Sequence, residues 1–219
     1  MTLDLGPRRA CLDTVDRSAL AAPTEQEVVL VVGPGPGPGV GLDAAACRSA
    51  HVIGVGPSGV MLAMVCRRCA PAIARGRLRL STGELDDSVD LLLSGNNLPL
   101  WPDVPAGLTE LHRILRPGGR MFLAAHEKWL PTALSALAHM VLAAGFTSVR
   151  TWTWQPPTRM AAMLALLSAA RTHDPAGGRP IDEPPTRPVL QLDPHVASGC
   201  IVGAWKITGL WDASQSWPA

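Results

Sequence analysis

The apolar positions of this chain fall into two alternating rhythms. Runs such as Val28-Val29-Leu30-Val31-Val32 are apolar at every position and rich in β-branched residues, the pattern of a strand buried on both faces. Other stretches place apolar residues three and four apart, as on one face of a helix. The first pattern, together with period-two alternation over 77–81 and 147–154, predicts strands over 27–32, 51–55, 77–81, 89–94, 120–125 and 147–154, with a last one over 200–207. The second predicts helices over 40–50, 59–71, 104–115, 131–144 and 158–171. Ser58 stands where it can cap the 59–71 helix, and Leu108, Leu111 and Leu115 form the apolar stripe of the 104–115 helix. Pro117-Gly118-Gly119 and Gly145 mark helix ends, because proline cannot continue a helix and glycine accepts the left-handed backbone that closes one.

Strands that alternate with helices predict an α/β, Rossmann-like fold: a mainly parallel sheet with helices on both faces. Such sheets bind ligands beyond the carboxyl ends of their strands. The segments to watch are therefore 33–39, 56–58, 83–85, 95–97 and 126–127. The 219 residues suit one domain. Within it, 1–24 reads as an N-terminal cover segment, 25–155 as a ligand-binding core and 156–198 as a helix and proline-rich loop inserted before the last strand. Residues 199–208 hold that strand and 209–219 form a tail. The insertion is expected to act as a lid or as a homodimer contact, and Trp152 and Trp154, on one strand face, are expected in the core.

Charge and composition narrow the classes. Lys+Arg 19 against Asp+Glu 18 leave a net charge of +1, so neither a nucleic acid nor a charged membrane is an expected partner. The opening Met1-Thr2-Leu3-Asp4-Leu5 has no basic start and no apolar core, and the apolar stretch over 132–146 is too short to span a bilayer. A cytoplasmic setting is expected. The 5 cysteines lack framework spacing and suit reduced thiols. Cys66 and Cys69 have no second pair or nearby histidines for zinc and read as small residues of a helix, so no metal is expected. His51, His112, His139, His173 and His195 lack metal-ligand spacing and receive no role.

The chemistry concentrates where the first strand breaks into Gly33-Pro34-Gly35-Pro36-Gly37-Pro38-Gly39. Glycines past a strand end let the backbone turn tightly and approach a ligand with no Cβ in the way. No Lys-Ser or Lys-Thr follows, which excludes a phosphate-binding P-loop. The dinucleotide spacing G-x-G-x-x-G also fails, its third position falling on Pro38, Val40 or Leu42, so a nicotinamide oxidoreductase is disfavoured. The remaining G-x-G-x-G suits a nucleoside held without a pyrophosphate. A solvated Gly-Pro linker is the alternative.

The run from Asp90-Leu91-Leu92-Leu93-Ser94-Gly95-Asn96-Asn97 to Leu115-Arg116-Pro117-Gly118-Gly119, with Gly54-Val55-Gly56-Pro57-Ser58 before it, resembles a class I S-adenosylmethionine-dependent methyltransferase. It is closest to the small bacterial, methyltransferase type 11-like kind that acts on small molecules. The resemblance covers roughly 27–154 and implies seven strands with the last antiparallel, and S-adenosylmethionine as cofactor. It implies that Gly33, Gly35 and Gly37 pass beneath the cofactor's methionine part, and that Gly56, Pro57 and Ser58 lie near its ribose. Gly83, Glu84 and Leu85 would border the adenine, and Gly95 and Asn96 would meet the amino acid end. Asn97, Trp101 and Trp129 would contact the small-molecule acceptor, with His126 as the catalytic base.

Two acidic residues usual in the family are replaced. Val31 stands two residues before the opening glycine, and Gly56 ends the second strand where a carboxylate would accept from both ribose hydroxyls. A hydrogen bond to a charged group contributes about 1.5–3 kcal/mol, so this loss weakens the expected affinity. The alternative function is a non-catalytic or repurposed methyltransferase-like protein with a degenerate cofactor site.

Overall fold

The computed structural model describes residues 21, 23–34, 51–56, 58–80, 88–154 and 163–172. The expected helix over 40–50, the strand over 200–207 and the tail over 209–219 lie outside these residues, as does nearly all of the cover segment. Seven strands form one sheet: β1 Val28–Val32, β2 His51–Val55, β3 Leu78–Leu80, β4 Val89–Gly95, β5 Leu115–His126, β6 Thr147–Trp154 and β7 Leu164–Ala170. Their order is β3-β2-β1-β4-β5-β7-β6. The five strands from β3 to β5 are parallel, and β7 runs antiparallel to both β5 and β6.

The period-two alternation of each strand sorts its side chains between two cores. Leu30, Val32, Leu92, Met121 and Leu123 face one side, where helices α3 (Val104–Ile114) and α4 (Leu134–Ala143) bring Leu108, Leu111, Ile114, Leu137 and Val141. Val29, Val31, Leu91, Leu93 and Phe122 face the other, covered by Val65 and Cys69 at the end of α1 (Gly59–Arg68) and by Ala21. Cys69 is buried and Cys66 half-buried. Among the described residues no group of histidine, cysteine or carboxylate side chains could hold a metal.

Caps fall where the sequence places them. Ser58 Oγ accepts from Met61 N at the start of α1, and Asp103 Oδ1 accepts from Ala106 N at the start of α3. The 59–71 helix is two helices, α1 and a short α2 (Ala70–Ala74), parted at Cys69. Gly145 ends α4 at φ +98°, donating to Leu142 O.

Arg116-Pro117-Gly118-Gly119 departs from a plain helix stop. Leu115 already pairs with Val89, and Arg120 pairs with Leu91, so the tetrapeptide is an outward loop within β5. Gly118 takes φ +82°, and Gly119 has no room for a Cβ, which would meet Arg116 O at 2.8 Å. Arg171 clasps this loop. Its N–H donates to Gly119 O at 2.8 Å, its carbonyl accepts from Gly118 N at 3.0 Å, and its guanidinium donates to the carbonyls of His112, Arg113 and Leu115 at the end of α3.

The expected helix over 158–171 is corrected. Leu164–Ala170 is a strand, buried along most of its length and inserted between β5 and β6. It fills the place of the antiparallel strand expected over 200–207, so this part of the predicted insertion is sheet interior and cannot be a lid. Trp152 is corrected as well. It is 38% exposed on the outer strand β6 and touches Phe122 from the rim, while Trp154 packs on the second core.

Candidate functional site

The strand order reverses direction between β1 and β4, the switch point beyond whose carboxyl ends such sheets bind ligands. Gly33, the first residue past β1, takes φ +66°, and its N–H donates to Val55 O of β2 at 2.7 Å. Two constraints therefore require glycine at this position. Its backbone lies in the left-handed region, and a Cβ would stand 2.3 Å from Cγ of Asn97.

Asn97 reaches Gly33 from the turn after β4. It is 5% exposed, and its Nδ2 has no hydrogen-bond partner among the described residues. A buried amide donor thus lies beside a backbone stripped of side chain. Asn96 precedes it at φ +53°, a conformation that asparagine tolerates better than most residues. Its N–H donates to Ala124 O at 2.7 Å, and its Oδ1 accepts from His126 N at 2.9 Å. Asn96 is therefore a clip that joins the ends of β4 and β5.

His126 ends β5. Its ring meets Trp129 edge to face, with centroids 4.5 Å apart and planes at 79°, and Lys128 Nζ stands 5.0 Å from the Trp129 ring. Glu127 N donates to Met163 O, tying this turn to the start of β7. Trp129 is 52% exposed at the mouth, whereas Trp101 is buried in the core on the α3 side.

The structure thus gathers Gly33, Gly56, Gly95, Asn96, Asn97 and His126 at the carboxyl ends of four adjacent strands. It places Trp129 at the rim, uses the Ser58 hydroxyl as a helix cap and removes Trp101 to the interior. Gly35, Gly37, Pro57, Gly83, Glu84 and Leu85 lie outside the described residues. Two contacts were not legible in the sequence, Gly33 against Asn97 and Asn96 to His126. The only local signal for either was an Asn-Asn pair after a strand, which also suits an ordinary turn. A cavity of about 10 Å³, lined by Ser94, Leu123, Leu134, Leu137 and Leu167, lies beneath the sheet. It has room for a single water beside the buried Ser94 hydroxyl and is too small for a ligand.

Residues 30–123 match the family described as a methyltransferase domain. Among solved structures, phosphoethanolamine N-methyltransferase 2 of Haemonchus contortus, in complex with phosphomonomethylethanolamine and S-adenosylhomocysteine, is similar with a TM-score of 0.56 at 14% identity. The match covers 71% of this chain and 52% of that one, so the chain spans about half the length of that enzyme. YcgJ of Bacillus subtilis is similar at 0.57 and 14% identity, over 73% of this chain and 99% of its own. A SAM-dependent methyltransferase from Aquifex aeolicus is similar at 0.59 and 13% identity, over 74% and 93%. No curated protein matches the sequence.

Proposed function

We propose that the protein transfers a methyl group from S-adenosylmethionine to a small molecule, a reading supported by the match of residues 30–123 to the methyltransferase-domain family and by the strand order of the sheet. One observation supports the reading: beyond the ends of β1 and β4 the left-handed Gly33 lies against the Asn97 amide, whose Nδ2 has no partner among the described residues. A buried donor left unsatisfied costs about 1–3 kcal/mol. An acceptor atom of a ligand bound there would remove that cost.

Bound S-adenosylmethionine would supply a methyl group already activated on a sulfonium, which leaves binding and alignment to the protein. Gly33 would pass beneath the methionine part, and Gly95 and Asn96 would line the amino acid end. The Asn97 amide, expected at the acceptor, is reassigned to the amino acid end because it lies against Gly33. Gly35, Gly37, Pro57, Ser58, Gly83, Glu84 and Leu85 stay assigned to the cofactor by resemblance alone. His126, its backbone fixed by Asn96, is the proposed base for an acceptor that must lose a proton. Trp129 forms the wall beside it. Among the described residues no helix is long and apolar enough to cross a membrane, and we place the reaction in the cytoplasm.

A second reading is favoured by Gly56, which brings no carboxylate to the ribose end: a non-catalytic or repurposed protein on the same fold. Titration calorimetry with S-adenosylmethionine and S-adenosylhomocysteine separates the two readings. Micromolar binding of both is the expected outcome. Absence of binding up to millimolar concentration would leave the second reading standing.

A further inference from the structure

β4 and β5 run parallel, and their ladder ends where β4 turns away. The last backbone rung is Asn96 N donating to Ala124 O at 2.7 Å. In the parallel pattern the next rung would carry His126 N to the Asn96 backbone carbonyl. Asn96 stands at φ +53°, and its side chain supplies that rung instead: Oδ1 accepts from His126 N at 2.9 Å. The residue type follows from both demands. Asparagine tolerates the left-handed backbone better than most residues, and its short side chain ends in a carbonyl much like the one it replaces.

The two neighbouring asparagines therefore serve different sides of the site. Asn97 lies against Gly33 on the β1 side. The Asn96 side chain holds the turn after β5, where the His126 ring meets Trp129 edge to face, and Glu127 N ties the same turn to Met163 O at 3.0 Å. Resting on the methyltransferase reading, we infer that the roles expected for the pair are exchanged in this protein. The Asn96 side chain is a positioning residue for the acceptor side, acting through His126 and Trp129, while Asn97 serves the cofactor. The backbone of Asn96 keeps its expected place at the amino acid end. Loss of the Asn96 side chain therefore moves the acceptor wall and spares the cofactor.

The test is NMR of the isotope-labelled full chain beside titration calorimetry with S-adenosylhomocysteine. In the wild type the His126 amide should exchange with solvent at least about tenfold more slowly than an open amide. Asn96→Gly permits the same backbone but removes the rung. That protection should then be lost and the Trp129 indole signal should shift, while the dissociation constant for S-adenosylhomocysteine stays within about threefold. Asn96→Asp keeps an acceptor oxygen in place and should restore both signals. Asn97→Ala should do the reverse, weakening S-adenosylhomocysteine about tenfold and leaving the Trp129 indole signal where it is. A fast-exchanging His126 amide in the wild type overturns the inference without any variant, so a misfolded Asn96→Gly does not rescue it. An Asn96→Gly protein that loses S-adenosylhomocysteine while its Trp129 signal is unmoved also overturns it. The methyltransferase reading survives both results. Failure of the wild type to bind S-adenosylhomocysteine removes that reading, and the assignment of roles falls with it.

Discussion

At the amino ends of the central strands, charged side chains are partnered. Asp90 accepts from Val28 N at 2.7 Å and pairs with Arg116, and Glu27 takes the Arg120 guanidinium with both oxygens while accepting from Thr24 N at 2.7 Å. At the carboxyl ends of this sheet β1, β2 and β4 run into Gly33, Gly56 and Gly95, and a buried amide stands there whose Nδ2 has no partner among the described residues. One end spends its polar groups on holding strands together. The other leaves polar capacity unspent, which is the condition for binding something else. Stability and ligand capture are thus divided between the two ends of one sheet, and substitutions at each end should separate them.

The largest effect is expected at the amino end. Asp90→Ala removes the charged acceptor of a buried N–H and should cost about 1.5–3 kcal/mol, read as a lower urea midpoint at unchanged slope. Unchanged stability would mean that this end is no anchor. Gly33→Ala comes next, at about 1–2 kcal/mol from its left-handed backbone alone. Part of its full cost should vanish in Gly33→Ala/Asn97→Gly, because the new methyl would otherwise collide with Asn97. Strict additivity in that double-mutant cycle would refute the contact. Asn97→Ala removes a buried donor that has no partner among the described residues and should weaken S-adenosylhomocysteine binding about tenfold at a stability cost of about 1 kcal/mol.

The smallest effect is a pH dependence. Burial alone would raise the Glu27 carboxyl, but the Thr24 N–H and the Arg120 guanidinium outweigh it and hold the group below its ordinary 4.5. A folded pKa below the unfolded one means that the clamp's contribution is fully present above about 4.5 and is lost as pH falls through the folded value. Glu27→Gln should lower Tm at neutral pH and flatten its decline in acid. Parallel Tm profiles for the two proteins would count against the clamp.

Much of the fold was legible because strands such as β1 and β4 carry apolar runs, Val28–Val32 and Leu91–Leu93, bounded by turn signals. β7 was not. Met160, Met163, Leu164 and Leu167 repeat at three and four, and Leu164–Ala170 contains no β-branched residue, so local preference points to a helix. Pairing with β5 on one side and β6 on the other decides the matter, and neither partner is local. Trp152 was misplaced for a related reason: alternation gives a strand's two faces but not its rank in the sheet. At the mouth, Gly33 and Gly56 were legible as strand-end positions. The Asn97 side chain pressed on Gly33 from the turn after β4 was not, since that contact spans more than 60 residues.

The order β5-β7-β6 has a consequence for synthesis. As the chain leaves the ribosome, β6 emerges before the strand that must sit between it and β5. Until residue 170 is available, β5 presents an open ladder and β6 has no neighbour in the sheet. The nascent protein therefore passes through a stage with exposed strand edges, the form most open to holding chaperones and to mispairing with other nascent chains.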